Sequence, residues 1–424
     1  MKLKKEGIKL KKTSSFKRDK MFYKFSMYGF LKNLRFFDPF LILFFREVGL
    51  SFLQIGVLLA VRDITTNIFE IPTGMFADIF GRRKSMLLSF TSYILSFLIF
   101  FFFPNYYLYI FAMVLFALGE AFRSGTHKAM ILEYLRLNGW EDQKVEYYGS
   151  TRAASQLGSA VSSLIAAALV FYRGSYRIVF LASVIPYLVN LVNLATYPEE
   201  LDNPKDVSSQ EKLELKSKIK STFMDFVYMF KNLSSLKPIL NSSLFDSFFK
   251  ITKEYLQPIV KEFALLLPLM VSLDSTRRVS VVVGIIYFLL YLLTSYSSKN
   301  ASKFSKRFKN LSNAINLTYL SGAIFLLLAG ITNVLKWNVF AIILFVLFYM
   351  LQNVRRPMNV SLISERIPSR TMATGLSVES QLTTTFKALI AIGIGALADK
   401  FGVGVSLLMA GSFMFGLYKI AKID

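Results

Sequence analysis

The sequence predicts an all-α membrane protein with twelve transmembrane helices in two sets of six, and three observations support this fold class. Hydrophobic residues make up 54% of the 424 residues and charged residues only 18%, whereas a soluble domain carries about a quarter charged residues. The mean hydropathy is +0.47. The apolar residues lie in runs of about 20, the length that a helix needs to cross a bilayer, and a polar stretch over 198–236 separates six such runs from six more.

The charge and the rare residue types exclude several classes of function. The formal net charge is +23, from 50 Lys and Arg against 27 Asp and Glu, but the basic residues lie between apolar runs, where they set membrane orientation. We therefore expect a lipid bilayer and no nucleic acid as a partner. The chain has no Cys and a single His, His127, so we expect no metal, no cofactor and no enzymatic activity.

The first half begins with a basic tail, residues 1–21, and the apolar stretch after it is long and ends in no small-residue cleavage site of a signal peptide. The apolar stretch that follows is therefore interpreted as the first membrane span. The first six-helix bundle is predicted over 22–197, with spans at 22–45, 51–75, 85–103, 106–134, 147–172 and 176–197.

The second half follows a polar linker over 198–236. Within this linker, residues 211–233 have a basic start and an apolar, periodic end. They could form an amphipathic helix on the inner leaflet, or they could be a plain tether. The second bundle is predicted over 237–424, with spans at 238–261, 276–298, 310–332, 336–360, 371–397 and 402–420.

The distribution of Lys and Arg predicts the orientation of the chain. Basic residues concentrate in the tail, the linker and the loops near 82–84 and 299–309. If these segments are cytoplasmic, the positive-inside rule is satisfied and both termini lie in the cytoplasm, as an even number of spans requires. We expect a multi-pass protein of the cell (plasma or inner) membrane that acts as a monomer.

A charged turn stands between the second and third spans, with the sequence GMFADIFGRRK. Gly81 permits a strained backbone, and Gly74 would let neighbouring helices approach closely. Asp78 can accept charge-assisted hydrogen bonds from an arginine, such as Arg82 or Arg83, or from a helix N-terminus. Such a cluster is suited to hold two helix bundles together in one conformation and to release them in another.

This turn resembles the loop 2–3 signature of the major facilitator superfamily, G-x-x-x-D-x-x-G-R-R/K. The resemblance implies two pseudo-symmetric six-helix bundles that rock around a central cavity, and hence a secondary active transporter of a small solute. It also implies a conformational latch at Gly74, Asp78, Gly81, Arg82 and Arg83. Two partial copies of the turn, at 298–307 after span eight and at 395–402 after span eleven, indicate an internal repeat.

The fifth span departs from the superfamily pattern for proton antiporters. Gly149 and Gly158 have the spacing of that signature, but Ser162 and Ser163 stand where glycine and proline are expected. A drug/proton antiporter is therefore not supported. A lipid or drug translocator on the same fold is the alternative to a transporter of small solutes, and a membrane enzyme is a remote third reading.

Polar residues at membrane depth are costly and are therefore candidates for a binding site. In the superfamily, spans one and four face the central cavity and spans seven and ten form its opposite wall. Helical spacing predicts that Arg35 and Asp38 share one face of span one, and that Glu120, Arg123 and His127 form one stripe on span four. The substrate-binding candidates are Arg35, Asp38, Arg62, Glu120, Arg123, Lys250, Asn353 and Gln381.

Cations outnumber acids among these candidates, so we hypothesise that the substrate is an anion bound by some of the four cations, Arg35, Arg62, Arg123 and Lys250. The alternative is that these residues form internal ion pairs, for example Arg35 with Glu120 or Arg123 with Asp38.

Coupling to protons is a further hypothesis. Asp38, Glu120 and His127 are the residues of these spans that can take up a proton near neutral pH. For His127 the alternative role is that of a hydrogen-bonded packing residue.

Overall fold

The computed structural model describes residues 18–202, 233–268, 270–366 and 372–423, which form helices joined by turns and contain no strand. The basic tail up to residue 17 and residues 203–232, with most of the candidate amphipathic helix, lie outside this part of the chain. An all-helical protein was the prediction, because its apolar runs match the length of membrane-spanning helices.

Eight α-helices build the N-terminal half. They are α1 (Lys20–Lys32), α2 (Leu41–Glu47), α3 (Phe52–Phe80), α4 (Arg82–Phe102), α5 (Tyr106–Arg123), α6 (Thr126–Leu137), α7 (Lys144–Arg173) and α8 (Ile178–Ala195). Side-chain caps fix several starts: Asp19 accepts from the Phe22 amide at 2.9 Å, and Ser51 and Gln54 form a capping box at the start of α3.

The predicted continuous first span is wrong, because the helix breaks between α1 and α2. Pro39 lies in a short 3-10 helix, Asp38–Phe40. Proline has no N–H and its ring clashes with the carbonyl of the residue four earlier, here Arg35, so the helix cannot continue through that turn. Arg35 consequently lies on non-helical backbone, and the predicted helix face shared by Arg35 and Asp38 does not form.

The predicted fourth span is also broken. Gly125 has a φ of 73° and, with Ser124, separates α5 from α6. Glu120 and Arg123 lie on α5, whereas His127 lies on α6. The single stripe predicted for these three side chains is therefore wrong, because a helical spacing holds only along one uninterrupted helix.

Seven α-helices build the described part of the C-terminal half. They are α9 (Leu233–Thr252), α10 (Leu256–Leu266), α11 (Ser275–Ser305), α12 (Leu311–Val334), α13 (Asn338–Arg366), α14 (Met372–Gly416) and α15 (Tyr418–Ala421). The first span of this half is broken as well, by the 3-10 helix Lys253–Tyr255 just before Pro258. The two halves thus share a proline-associated break at the same place.

Nine of the helices in the described residues are long and apolar enough to cross a membrane. Three features account for the difference from the twelve predicted spans. Spans one and seven are each divided into two shorter helices, and spans eleven and twelve are joined in α14 across Gly402, whose φ is 82°. The number of twelve spans itself stays a prediction.

The two halves pack against each other through the helix pairs α3–α14 and α7–α11. We name the two ends of the molecule by their turns: the Gly81 face carries the turn between α3 and α4, and the Gly402 face carries the turn within α14. Hydrogen bonds between the halves cluster at the Gly402 face. There Gln257 accepts from the Ile42 amide at 2.8 Å and donates to the Asp38 carbonyl at 3.0 Å. The two halves are in contact at this face, and the two cavities lined by charged residues of both halves lie toward the other.

Candidate functional site

Three of the predicted residues meet in one ion-pair cluster at mid-depth in the N-terminal half. The Glu120 carboxylate lies between Arg35 and Arg123 and accepts a hydrogen bond from each guanidinium. The Arg123 Nε also donates to the Tyr93 hydroxyl at 3.2 Å. The predicted pair of Arg35 with Glu120 is present, whereas Arg123 pairs with Glu120 rather than with Asp38. Two arginines share one carboxylate, so the cluster keeps a net positive charge.

A cavity of about 490 Å³ opens between this cluster and the Gly81 face. Five cationic side chains line it: Lys32, Arg123, Lys128, Arg152 and Arg356. None of its lining residues is an Asp or Glu. The wall is completed by aromatic, hydroxyl and amide groups. Because cations and hydrogen-bonding groups converge here without acids, this cationic cavity is suited to bind an anion.

A second cavity of about 360 Å³ lies between α3, α9, α13 and α14 and has mixed charge. Lys250 pairs with Asp246 at 3.0 Å, and the Gln352 amide donates to the same Asp246 carboxylate at 2.7 Å. Glu379 accepts a hydrogen bond from the Ser242 hydroxyl. The acids of this mixed cavity thus have partners of their own. The predicted site residue Lys250 is held by Asp246 here.

Asp63 joins the two halves through a buried ion pair. Its side chain is 7% exposed, and its carboxylate lies 3.1 Å from the Arg62 Nε and 2.9 Å from the Lys387 Nζ. Lys387 comes from α14, in the other half. The predicted site residue Arg62 therefore compensates the negative charge of the neighbouring Asp63. Removing one member of a buried pair is costly, so this cluster fixes the contact between halves.

His127 lies in an aromatic enclosure rather than beside Glu120. Its ring stacks on Tyr28 with 3.6 Å between centroids, and one ring nitrogen is 3.2 Å from the Tyr197 hydroxyl. Phe25 closes the enclosure edge-on. These contacts resemble the hydrogen-bonded packing role that was the alternative for this residue, although His127 also lines the cationic cavity.

Asp38 lies on the closed side of the molecule. Its carbonyl accepts from Gln257, but its carboxylate makes no hydrogen bond or ion pair with any residue that the structure describes. It is partly exposed, and Arg35 and Lys253 are the cations whose field acts on it. Asp38 is therefore separated from the cationic cavity by the Arg35–Glu120–Arg123 cluster.

The turn on the Gly81 face is held by its own half and by Asp202, in the linker segment that directly follows this half. The Arg83 amide donates to the Asp202 carboxylate at 2.7 Å, and the Arg83 guanidinium donates to the Tyr197 carbonyl at 3.1 Å. Gly81 has a φ of 107°, and a Cβ there would lie 2.3 Å from an Asp202 oxygen. Asp78 is exposed and makes no hydrogen bond or ion pair with the described residues.

Two details of this turn differ from expectation. Gly74 has open space where a Cβ would stand, so the predicted close helix approach at Gly74 is absent in this structure. Arg82 donates its amide to the Asp202 carbonyl at 3.3 Å, while its Nη1 is buried without a hydrogen-bond partner among the described residues.

The turn on the Gly402 face repeats the same pattern and is engaged across the halves. Gly74 to Gly81 and Gly395 to Gly402 share the octapeptide G-x-x-A-D-x-F-G. Asp399 accepts hydrogen bonds from the amides of Phe52 at 2.7 Å and Leu53 at 2.8 Å, at the N-terminus of α3. Burial opposes the ionised form of Asp399, but these backbone hydrogen bonds hold its pKa below the ordinary value.

The sequence comparison decides the family. Residues 26–382 match the sequence profile of the Major Facilitator Superfamily. The chain belongs to this superfamily. One relative, the uncharacterized MFS-type transporter YxaM of Bacillus subtilis (strain 168), is 37% identical over 107 residues, which are 25% of this chain and 26% of the relative. The match thus spans about a quarter of the relative's length.

Solved structures show the same fold. A crystal structure of the nucleoside transporter NupG has a TM-score of 0.73 at 12% identity, covering 95% of this chain and 98% of that one. A POT family transporter in complex with 5-aminolevulinic acid has a TM-score of 0.68 at 15% identity, covering 94% and 93%. At such identities the likeness concerns the fold. The family and these neighbours are transporters, which agrees with the expectation that the chain is not an enzyme.

For this superfamily member, the remaining predicted residues fall in different places. Asn353 lines the cationic cavity, and its amide donates to the Tyr349 carbonyl of its own helix at 2.9 Å. Gln381 does not contribute to either cavity: the residues of α14 that line the mixed cavity are Glu379, Ser380, Thr383, Thr384 and Lys387.

Sequence reasoning missed the wall that α7 contributes, because span five was interpreted as a packing face of small residues. Thr151, Arg152, Ser155, Gln156 and Ser159 all line the cationic cavity. Their spacing of i, i+1, i+4, i+5 and i+8 is a polar helical stripe, a signal that was available in the sequence.

Proposed function

We propose that this transporter moves a small organic anion across the membrane by secondary active transport. The observation that carries the proposal is the cationic cavity, whose lining has five cationic side chains and no acidic one. The internal ion pairs that were the alternative account for all four predicted cations, Arg35, Arg62, Arg123 and Lys250. They leave the charge of the cavity itself uncompensated, and an anion is the ligand that would compensate it.

We further propose that transport follows alternating access between two rigid halves, 22–197 and 237–424. The closed Gly402 face and the cavities toward the Gly81 face represent one end state of such a cycle. In this state Asp399 caps α3 from the other half, whereas Asp78 is unengaged. The proposed cycle releases Asp399 when the Gly402 face opens and engages Asp78 when the Gly81 face closes.

Proton coupling is proposed at Asp38. Glu120 is held between two guanidinium groups, an arrangement that favours its ionised form. The carboxylate of Asp38 has no such partner, and Asp38 lies at the seal that the cycle would open. In Asp38→Asn, transport driven by an imposed pH gradient should vanish while exchange of substrate without a gradient persists. Gradient-driven transport that persists in both Asp38→Asn and Glu120→Gln would refute proton coupling at these residues.

The proposed setting is the cell membrane, with both termini in the cytoplasm and the Gly81 face inside. The basic residues near 82–84 and 299–309 support this orientation, and α3 and α11 end at the same face in the structure. The proposed active form is a monomer.

A thermal-shift screen on the purified protein tests the proposed substrate charge. The screen compares matched sets of organic anions, neutral isosteres and organic cations. We expect some of the anions, but not their neutral or cationic counterparts, to raise the melting temperature of the protein. Reconstituted vesicles should then accumulate the stabilising anion, and a labelled-lipid assay in the same vesicles tests the translocator alternative. Stabilisation by neutral compounds or cations alone would contradict the proposal.

A further inference from the structure

The cationic cavity holds more positive charge than one monovalent anion would compensate. Arg123 shares Glu120 with Arg35. The other four cations of the lining, Lys32, Lys128, Arg152 and Arg356, form no ion pair with any residue that the structure describes. Arg356 also lines the mixed cavity, where its charge interacts with those of Asp246 and Glu379 without direct contact. Lys128 lies 5.5 Å from the centroid of the Tyr148 ring.

These four like charges repel one another across the cavity. A monovalent anion would leave most of that repulsion in place. A compact group with two negative charges compensates more of the repulsion between the cations in the same volume. The number of cations in the cavity therefore favours a dianionic ligand.

The four cations are placed on both halves. Lys32 is the last residue of α1, Lys128 lies on α6 and Arg152 on α7, all in the N-terminal half, whereas Arg356 lies on α13. Lys128, Arg152 and Arg356 are exposed to the cavity at its Gly81 side. An anion bound there contacts opposite walls of the opening rather than one helix.

Three hydroxyl groups of the wall already donate within their own helix, whereas the Tyr28 hydroxyl is buried without a hydrogen-bond partner among the described residues. The Thr151, Ser155 and Ser159 hydroxyls donate to carbonyls of their own helix. Gln156 accepts from the Ser295 hydroxyl at 3.1 Å, which orients its amide nitrogen as the free donor. The guanidinium of Arg152 and that of Arg356 each offer the planar fork that matches a phosphate or carboxylate group.

We infer that, within the proposed anion transport, the substrate carries a compact dianionic group, as in a phosphate monoester, and that Arg152 and Arg356 bind this group from opposite halves. Because the dianion contacts both halves, it is bound more tightly when the Gly81 face narrows. A ligand shifts a conformational equilibrium by its difference in affinity for the two states. The substrate itself therefore promotes closure of this face.

Calorimetric titration of the purified full chain tests the inference, at constant ionic strength, with glycerol 3-phosphate, inorganic phosphate and succinate as dianions and acetate and methyl sulfate as monoanions. We expect at least one dianion to bind about tenfold or more tightly than either monoanion, as one added charge-assisted hydrogen bond allows. Arg152→Gln and Arg356→Gln should each weaken dianion binding about tenfold, and Arg152→Lys should lose less.

Lys144→Gln is the matched control, because Lys144 is an exposed cation on the same helix as Arg152 that lies outside the cationic cavity. It should leave dianion affinity unchanged. An equal loss in Lys144→Gln, or equal affinities for mono- and dianions in the wild type, would overturn the inference while leaving anion transport standing. Absence of binding by every anion would overturn both.

The same titration with phosphatidic acid in neutral-lipid nanodiscs distinguishes a lipid headgroup from a soluble phosphate. Binding of glycerol 3-phosphate that depends on Arg152 and Arg356 supports the inference for a soluble substrate. Binding of phosphatidic acid alone, with the same dependence on both arginines, supports the dianion site with a lipid as its ligand. Binding of either ligand that is unchanged in both variants overturns the assignment of the site.

Discussion

The two copies of the octapeptide G-x-x-A-D-x-F-G are nearly the same in sequence and opposite in state. Asp399 bridges the halves by capping α3, whereas Asp78 is exposed and without a partner among the described residues. Both copies end in a glycine with positive φ, 107° at Gly81 and 82° at Gly402. The difference therefore does not come from the local backbone. It reflects the relative position of the two halves, which is what a pair of alternating latches requires.

The copies also differ in what holds them from outside. The Gly81 copy is followed by Arg82 and Arg83, which bond to Asp202, in the linker segment that directly follows the same half. The Gly402 copy lacks a basic pair, and its contacts lie in the other half. The Gly81 turn is thus fixed in place but makes no contact through Asp78 in this state, whereas the Gly402 turn bonds the two halves together through Asp399. Four experiments, described below from the largest expected effect to the smallest, distinguish the roles of the two turns.

The largest expected effect distinguishes the two glycines. Alanine at either position adopts a backbone region that is essentially restricted to glycine, at a cost of about 1–3 kcal/mol. At Gly81 the new Cβ would also lie 2.3 Å from an Asp202 oxygen, whereas at Gly402 it meets nothing within 4 Å. Gly81→Ala should therefore lower the melting temperature more than Gly402→Ala does. Equal losses would show that the Asp202 contact contributes nothing.

The next effect concerns the engaged acid. Asp399→Asn keeps the shape of the side chain but removes the charge that accepts from Phe52 and Leu53. Hydrogen bonds to a charged group contribute about 1.5–3 kcal/mol, reduced here by solvent exposure, so we expect a shift of about tenfold toward a state open at the Gly402 face. Because the chain has no Cys, spin labels on two cysteines introduced at Arg173 and Leu335, which lie in opposite halves, measure this opening as a longer distance between them. An unchanged distance would contradict the latch.

The acid dependence of the same contact is a smaller effect. The pKa of Asp399 is held below its ordinary value by the amides of Leu53 and Phe52, against the effect of burial. Its contribution is therefore complete above about pH 4, the ordinary range for Asp, and is lost as the pH falls through the lower folded value. The distance between labels at Arg173 and Leu335 should stay short from neutral pH to about pH 4 and lengthen below it.

Asp399→Asn is the control for this profile and should abolish the step. Asp19 provides a second comparison within one half. Burial opposes its ionisation, but hydrogen bonds from Tyr134 and the Phe22 amide keep its pKa below the ordinary value. Protonation of Asp19 should lower stability without opening the Gly402 face. A step in this distance that survives in Asp399→Asn would assign the acid response elsewhere.

The smallest expected effect is that of the unengaged acid. Asp78→Asn breaks no contact of this state. The free energy of unfolding should therefore change by less than about 0.5 kcal/mol, and the melting temperature should hardly shift. Its effect should instead fall on the opposite state, with less closure of the Gly81 face. A large loss of stability in Asp78→Asn would show that Asp78 has a partner already in this state.

The sequence was sufficient for the fold and for the two turns, and insufficient for the contacts between elements. Hydropathy and the octapeptide depend on local residues, so the membrane helices and the turn at Gly81 could be predicted. Pro39 and the Ser124–Gly125 pair are also local signals, and they indicated the breaks in spans one and four that the predicted helix faces ignored.

The partners of charged residues could not be predicted in the same way. Asp63 is bonded to Lys387, more than 300 residues away and in the other half. Nothing in the local sequence of either residue specifies that distance. This pairing is decided by the packing of α3 against α14. Arg123, in contrast, pairs with Glu120 three residues earlier on α5, a spacing that is visible in the sequence.

Distance measurements across both faces test the alternation of the two latches most directly. Spin labels at Asn138 and Lys306 report the Gly81 face, and labels at Arg173 and Leu335 report the Gly402 face, all at exposed positions. In Asp399→Asn, the distance across the Gly402 face should lengthen while the distance across the Gly81 face shortens. If both distances stayed unchanged, or if both lengthened together, the two turns would not act as alternating latches.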